Sequence, residues 1–107
     1  MAQAATFNFN GVDVSNCARS GAQYTCGNLS MADTDVIVIA NGYGVTFNSS
    51  LAMTYNQGLR MSGSAALTAT GNLDIKDIHP SNLKVTGGSL TAEGGTFSMG
   101  AQAQTII

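Results

Sequence analysis

The chain has 107 residues, a formal net charge of -2 and charged side chains at only 9% of its positions. This length allows one domain. Lys and Arg together number four, which leaves no basic patch for a phosphate backbone, so nucleic acid is not expected as a partner. No apolar run approaches the roughly 20 residues of a membrane-spanning helix, so no membrane span is predicted in this segment.

The composition favours many short strands over helices. Gly accounts for 13 residues, Pro for 1 and Trp for none. Exposed helix faces favour Ala, Leu, Glu, Lys and Arg, whereas Gly and Asn form the tight corners that connect short strands. The chain is therefore predicted to be all-β.

The first residues and the two cysteines point to export. Ala2-Gln3-Ala4 has the small-x-small form of a signal-peptidase site. The spacing of Cys17 and Cys26 fits no zinc pattern, and the lone His79 is far away in sequence. We expect a Cys17–Cys26 disulfide, the alternative being two free buried thiols of a cytosolic protein. A disulfide favours an oxidising compartment, so the predicted location is the periplasm, the cell surface or the extracellular space.

Residues 1–28 are predicted to form an N-terminal cap that contains the disulfide loop. Phe7-Asn8-Phe9 and Val12-Asp13-Val14 have the pattern of short strands, and Tyr24 and the cysteine loop follow them. A stack of short strands needs such a cover, because an open end exposes both the core and the strand edges.

Residues 29–107 carry an apolar-x-apolar triplet that recurs with regular steps. From Leu29 onward the steps between triplets are 8, 8, 6, then 8, 8, 6, then 10, 7 and 7. Three short strands in a repeat of about 22 residues are the signature of a three-sided solenoid. The predicted fold is a right-handed, three-sided parallel β-helix with an N-terminal disulfide-bonded cap. A β-sandwich is the alternative, since it also has short strands with alternating apolar residues.

The triplets stack in three columns, with the outer residues of each triplet expected in the core and the middle residue in solvent. Column one holds Leu29-Ser30-Met31, Leu51-Ala52-Met53, Leu73-Asp74-Ile75 and Phe97-Ser98-Met99. Column two holds Ile37-Val38-Ile39, Leu59-Arg60-Met61 and Leu83-Lys84-Val85. Column three holds Val45-Thr46-Phe47, Leu67-Thr68-Ala69 and Leu90-Thr91-Ala92.

The corners between columns two and three also stack. They carry Asn41-Gly42, Ser62-Gly63 and Thr86-Gly87. Glycine at matching places predicts a bend that needs a positive φ or a close approach of two backbones. The longest corner, residues 76–82, holds the sole proline, Pro80, where a loop accommodates it.

No catalytic residue, metal ligand or cofactor is predicted. Asp33 and Asp35 in one corner and Asp77 in a later one are candidates for a shared calcium site, but solvated corner carboxylates are the simpler interpretation. Arg60 and Lys84 lie one above the other in column two, both outward, and form the candidate ligand face. Basic residues on a solenoid face bind anionic sugars in some polysaccharide lyases; more often they only keep a sheet face soluble. Two stacked cations repel one another and so destabilise the sheet slightly. A role in binding would explain why the pair is present despite this cost.

The start of the chain resembles a family of exported proteins. Residues 5–11 (Ala5-Thr6-Phe7-Asn8-Phe9-Asn10-Gly11), with Cys17 and Tyr24-Thr25-Cys26, resemble N-terminal regions of large Gram-negative repeat proteins akin to MshQ of the mannose-sensitive haemagglutinin (MSHA) pilus system. Residues 67–73 and 85–91 resemble the low-charge repeats of that family. The resemblance implies a cell-surface or pilus-associated role and carries over no functional residue. The short stacked coils also resemble bactofilins, but the longer coils and the cysteine-bonded cap depart from them.

The function predicted from these features is a structural or adhesive module, not an enzyme, of an exported bacterial cell-surface or pilus-associated protein. The alternative is a carbohydrate-binding or carbohydrate-cleaving β-helix domain. No second cap is recognisable before Ile107, so the chain is expected to be the N-terminal piece of a longer protein. Its expected partners are further segments of that protein, stacked on the C-terminal end, and surface polysaccharide or pilus components.

Overall fold

The computed structural model describes residues 6–14, 16–27, 34–79, 82–94 and 96–98. Within these ranges the chain is all-β, and no helix is long and apolar enough to cross a membrane. The strands are β1 (Thr6–Phe9), β2 (Cys17–Ser20), β3 (Gln23–Cys26), β4 (Val36–Ile39), β5 (Gly44–Phe47), β6 (Leu51–Ala52), β7 (Gly58–Met61), β8 (Ala66–Ala69), β9 (Leu73–Asp74), β10 (Leu83–Val85), β11 (Ser89–Ala92) and β12 (Phe97–Ser98).

The strands form three sheets that correspond to the three predicted columns. The column-one sheet has the order β6-β9-β12, the column-two sheet β1-β4-β7-β10, and the column-three sheet β2-β3-β5-β8-β11. Every pairing between the described strands is parallel except that of β2 with β3, which is antiparallel. From β3 onward, consecutive strands lie in different sheets, so neighbours within a sheet come from distant parts of the chain.

The predicted neighbours within the columns are confirmed for the described residues. Leu59 of β7 pairs with Ile37 on one side and with Leu83 on the other. The equivalent pairs in the other columns are Leu67 with Val45, Leu67 with Leu90, and Leu51 with Leu73. Leu29, the other predicted neighbour of Leu51, lies outside the described residues, as do Ala2-Gln3-Ala4, Asp33, Pro80 and Met99.

Two further triplets, which the step pattern does not predict, join the columns from within the cap segment. Phe7-Asn8-Phe9 of β1 pairs in register with residues 37–39 of β4. Tyr24-Thr25-Cys26 of β3 pairs in register with residues 45–47 of β5. The segment expected to cover the stack thus also contributes a strand to two of its sheets.

The core consists mainly of the outer residues of the triplets, joined by Ala65 and Ile78 from the corners. Leu90 and Ala92, predicted in the core, are only half-buried against it, because β11 is the edge strand of its sheet. In β7, Leu59 and Met61 are buried and Arg60 between them is exposed, which is the alternation expected of a strand with one face in the core. The largest side chains that are fully buried are Tyr24, Phe9, Phe47, Ile37, Ile39, Met53, Leu59, Leu67, Leu73 and Ile75. Burial of these apolar surfaces is the main favourable term that opposes the entropy of the unfolded chain.

Asp35 and Gln57 are the buried polar residues of the described chain. The Oε1 atom of Gln57 accepts a hydrogen bond from the amide of Thr54 at 2.8 Å, which closes the turn before β7. Asp35 does not fit its interpretation as a solvated corner carboxylate, because it is only 3% exposed. It directly precedes β4, and its carbonyl oxygen accepts a hydrogen bond from the amide of Gly58, so the backbone hydrogen bonding of the sheet already begins at this residue.

The glycine corners between columns two and three behave as predicted. Gly42 and Gly63 have positive φ values of 87° and 61°. Gly87 instead meets the requirement for close approach, because a Cβ atom there would lie 2.6 Å from the carbonyl oxygen of Gly63. Glycine therefore lets successive corners lie directly on one another.

The N-terminal edge of the column-three sheet is formed by β2, and the predicted disulfide is confirmed. Cys17 of β2 lies opposite Cys26 of β3 in the antiparallel register, and the two sulfur atoms are bonded. Because β2 runs antiparallel to β3, it ends the column-three sheet with a strand of the opposite direction. This end of the sheet therefore differs from the other end, where β11 is parallel to its neighbour.

Candidate functional site

The predicted ligand face lies on the outer side of the column-two sheet. Arg60 of β7 and Lys84 of β10 are directly paired in the parallel register, and both are exposed. The row continues through Val38, which is half-buried, to Asn8. Neighbouring strands lie about 4.8 Å apart, so the two cations are adjacent and repel one another.

These two cations differ from the other two in the chain. Among the described residues, Lys76 pairs with Asp74 and Asp77, and Arg19 pairs with Asp13. Neither Arg60 nor Lys84 forms an ion pair within the described part of the chain. The unpaired positive charge is therefore concentrated in one place on the outer face of the column-two sheet.

An exposed aromatic ring lies at the corner that leads into this sheet. Tyr55 precedes β7 and is 58% exposed. His79 precedes β10, the neighbouring strand, and its ring stands at 82° to that of Tyr55 with the centroids 5.0 Å apart. The amide of His79 also donates a hydrogen bond to the carbonyl oxygen of Tyr55 at 3.1 Å. Backbone and side-chain contacts together fix the two rings.

The contact between Tyr55 and His79 is not predicted from the sequence. His79 has the pattern of an exposed corner residue, but it is half-buried against Tyr55. Tyr55 follows the triplet that ends at Met53 by two residues, whereas His79 follows the triplet that ends at Ile75 by four. Counting backwards from the next strand gives the signal, because both rings precede their paired residues, Arg60 and Lys84, by the same five positions.

The same corner holds a local charge cluster. The Nζ atom of Lys76 lies 2.6 Å from Oδ2 of Asp74 and 3.9 Å from Oδ2 of Asp77. The hydrogen bond from the Lys76 side chain holds the pKa of Asp74 below its ordinary value, and the same bond raises the pKa of Lys76. Lys76 is thus locally neutralised, and with two carboxylates and one ammonium the cluster has a net negative charge.

The calcium hypothesis gains no support from the described residues. In the ranges that the structure covers, no three His, Cys, Asp or Glu side chains lie close enough together to hold a metal ion. Asp35 is buried, Asp77 is exposed in the corner after β9, and Asp33 lies outside the described residues.

The outer face of the column-three sheet is different in character, because it is uncharged. One outward row consists of Thr25, Thr46, Thr68 and Thr91, paired in register. The predicted stacking of Thr46, Thr68 and Thr91 is confirmed, and β3 extends it by one residue. The adjacent row consists of Gln23, Gly44, Ala66 and Ser89. The Nε2 atom of Gln23 donates a hydrogen bond to Oγ1 of Thr46 at 3.2 Å.

A shallow hollow of about 250 Å³ lies beside β1, between that strand and the loop that follows it. It is lined by Thr6, Phe7, Asn8, Val12, Asp13 and Val14. Its one charged group, Asp13, has a side chain that is 97% exposed. The hollow has polar side chains in its lining but no cation, and its one carboxylate lies almost wholly in solvent. The corner of Tyr55, followed by the strands that carry Arg60 and Lys84, is the stronger candidate site.

Comparisons of the chain with protein-family models, with curated proteins and with solved structures find no match.

Proposed function

We propose that the chain is a structural or adhesive module of an exported bacterial cell-surface or pilus-associated protein, and that its three sheets form a right-handed, three-sided parallel β-helix. The strand order supports this architecture, because consecutive strands from β3 onward lie in different sheets and pair in parallel with strands further along the chain. Crossovers between parallel strands are almost always right-handed, which supports the proposed hand.

The difference between the two ends of the column-three sheet is the observation that carries the proposal. At the N-terminal end, the antiparallel β2 and the Cys17–Cys26 bond close the column-three sheet. At the other end, β10, β11 and β12 each have a neighbouring strand on one side only within the described residues; β1 and β6 at the N-terminal end do as well, so it is the column-three sheet whose two ends differ. Three parallel edges at one end form a template on which further strands pair. The proposed partners at this end are further segments of the same longer protein.

The compartment is supported by the disulfide, because such bonds persist in the oxidising periplasm and outside the cell. The resemblance of residues 5–26 to exported Gram-negative repeat proteins supports a position at the cell surface or on a pilus. A structural role also agrees with a core made of stacked aliphatic and aromatic side chains, because a close-packed apolar core makes a rigid support.

Localisation in the bacterium that encodes the chain tests the proposal. Antibodies raised against the folded chain are expected to label intact cells, and a thiol-alkylating reagent applied to unreduced cells is expected to leave Cys17 and Cys26 unmodified. Labelling only after lysis, together with alkylation of both cysteines, would overturn the exported role. Deletion of the chain is expected to reduce attachment of cells to surfaces, and unchanged attachment would remove the adhesive part of the proposal.

A further inference from the structure

We propose that the corner before β7 and β10 is a binding site for a short acidic oligosaccharide. Tyr55 would provide the ring on which one sugar stacks, and Arg60 and Lys84 would bind the carboxylates of neighbouring sugars. This site gives the chain a ligand and goes beyond the structural role proposed above, on which it does not depend.

The ring of Tyr55 suits stacking because it is exposed and already oriented. It is 58% exposed, and its single described ring contact, with His79, is perpendicular and occupies no more than one of its faces. The C–H bonds on one side of a sugar ring present weakly positive hydrogens, which the negative face of an aromatic ring attracts. Since the ring is held by His79 before the ligand arrives, little conformational entropy is lost on binding.

The two cations suit carboxylates because they are adjacent and unpaired. Arg60 and Lys84 face each other across neighbouring strands, and neither forms an ion pair among the described residues. A bound anion relieves their mutual repulsion. Charge-assisted hydrogen bonds to a carboxylate are stronger than neutral ones, and the planar guanidinium of Arg60 matches a carboxylate with two parallel bonds. A neutral sugar would leave both charges without a partner.

The ring and the cations are separated by only a few residues along the chain. Tyr55 precedes Arg60 by five residues, and His79 precedes Lys84 by five. Five residues span at most about 18 Å even when fully extended, so each ring lies within reach of its cation through a ligand of a few sugar units. Because Tyr55 contacts His79 and Arg60 pairs with Lys84, the four residues form a two-by-two arrangement, with the rings in neighbouring corners and the cations on the strands that follow.

The surroundings of Tyr55 favour a sugar over an acidic peptide. Val12 and Tyr55 are the exposed large apolar residues among those described, and Val12 lies beside β1 at the other end of the column-two sheet. Peptide interfaces centre on apolar anchors that fill pockets. A single exposed ring, with two cations on the strands that follow, instead matches a flat ligand that carries hydroxyls and carboxylates.

The test is a titration of the chain with trigalacturonate at low salt, followed by calorimetry and by the amide shifts of residues 55–60 and 84 in two-dimensional NMR spectra. We expect binding that weakens as salt is added. Tyr55→Ala should lower the affinity by about tenfold or more, the loss of one stacked ring, whereas Tyr55→Phe should stay within about twofold. The double variant Arg60→Gln/Lys84→Gln should also lose about tenfold or more.

Arg19→Gln is the matched control, because it removes one exposed positive charge from β2 and should leave the affinity unchanged. All variants alter exposed side chains, and their melting temperatures report whether the fold is retained. The proposal is overturned if trigalacturonate causes no shift at these residues, or if its neutral methyl ester binds equally well. It is also overturned if triglutamate binds as tightly, since the site would then recognise acidic peptides, or if Arg19→Gln weakens binding as much as the double variant does.

Discussion

Tyr24 donates a hydrogen bond from its hydroxyl to the carbonyl oxygen of Val12 across 2.5 Å. The same hydroxyl accepts a hydrogen bond from the amide of Gly11 at 2.9 Å. The ring is fully buried and meets Phe9 edge-on, with the centroids 4.9 Å apart. One side chain of β3 therefore joins the loop after β1 to the end of the core, through two backbone groups for which the described residues offer no other hydrogen bond.

Tyr24→Phe is expected to lower the free energy of unfolding by about 1–3 kcal/mol, because the carbonyl of Val12 and the amide of Gly11 lose their partner. Urea denaturation of the two proteins measures the difference. Tyr43→Phe is the control: Tyr43 lies near the same loop, but its hydroxyl has no hydrogen bond among the described residues. Equal effects of the two substitutions would mean that the bonds of Tyr24 contribute nothing specific.

Removal of the disulfide should weaken the N-terminal end without altering the sheets. The bond closes a loop with a sequence separation of 9, and cross-links of that size contribute about 2–3 kcal/mol in the chain-entropy model. Cys17→Ala/Cys26→Ala should therefore melt at a lower temperature than the oxidised chain and show the same far-ultraviolet circular dichroism. A reducing agent should lower the melting temperature of the parent chain and leave that of the double variant unchanged; equal melting temperatures of the oxidised and reduced parent would contradict the prediction.

The step pattern predicts the columns because spacing alone decides which triplets meet. Leu59 falls between Ile37 and Leu83 in the structure as the steps require. The pattern does not assign Phe7-Asn8-Phe9 or Tyr24-Thr25-Cys26 to columns in the same way. The loop after β1 and the antiparallel β2 interrupt the steps between them, so nothing in their spacing marks them as members of columns.

Only part of the candidate site can be predicted from the sequence. Arg60 and Lys84 are predicted as an outward pair because they are the middle residues of stacked triplets. Tyr55 lies in a corner and belongs to no triplet, so the column pattern does not position it. The corner that contains His79 is also longer than the one that contains Tyr55. Counting back five positions from Arg60 and from Lys84 shows that the two rings are equivalent in position. Whether they touch depends on how the longer corner folds back, which that count does not determine. The burial of Asp35 likewise depends on the path of a corner.

Substitution of Gly87 tests whether successive corners lie against one another. A Cβ atom at Gly87 would lie 2.6 Å from the carbonyl oxygen of Gly63, whereas one at Gly27 would meet nothing within 4 Å. Neither residue has a positive φ, so the two positions differ in the space available rather than in backbone strain. Gly87→Ala should lower the melting temperature, and Gly27→Ala should leave it unchanged or raise it slightly, by restricting the unfolded chain. A Gly87→Ala variant as stable as the parent would contradict the close stacking.

The hydrogen bond between Lys76 and Asp74 should make the stability of the fold depend on pH, and the sign of the effect follows from the two pKa shifts. The hydrogen bond from Lys76 lowers the folded-state pKa of Asp74, so its contribution to stability is present above the unfolded pKa of about 3.9 and is lost as pH falls through the lowered pKa. The raised pKa of Lys76 gives a contribution that is complete below the unfolded value of about 10.4 and is lost as pH rises through the raised one.

The chemical shift of the Asp74 carboxyl carbon, followed by NMR as the pH is lowered through the pKa of this group, measures the effect on Asp74. In Lys76→Met the titration of Asp74 should move to higher pH than in the parent chain. Asp77→Asn is the control, because Asp77 lies 3.9 Å from the Lys76 ammonium and is not among the groups that lower the pKa of Asp74. A titration of Asp74 that is the same in Lys76→Met as in the parent would show that the short contact does not persist in solution.

Leu59 and Arg60 test the register of the column-two sheet directly, because a shift by one residue would exchange their faces. Leu59 is fully buried between Ile37 and Leu83. A carboxylate placed there loses its water and gains no partner, which costs several kcal/mol, comparable to the ~5–15 kcal/mol of total stability of a small domain. Leu59→Asp is therefore expected to unfold the chain.

Arg60→Ala should change the free energy of unfolding by less than about 0.5 kcal/mol, because the side chain is exposed and forms no ion pair within the described residues. Loss of its repulsion with Lys84 should make any change slightly favourable. Thermal melts of both variants measure the contrast. If Arg60→Ala is the more damaging change, the two faces of the sheet are reversed. If both variants melt like the parent, residues 58–61 do not contribute to a folded core.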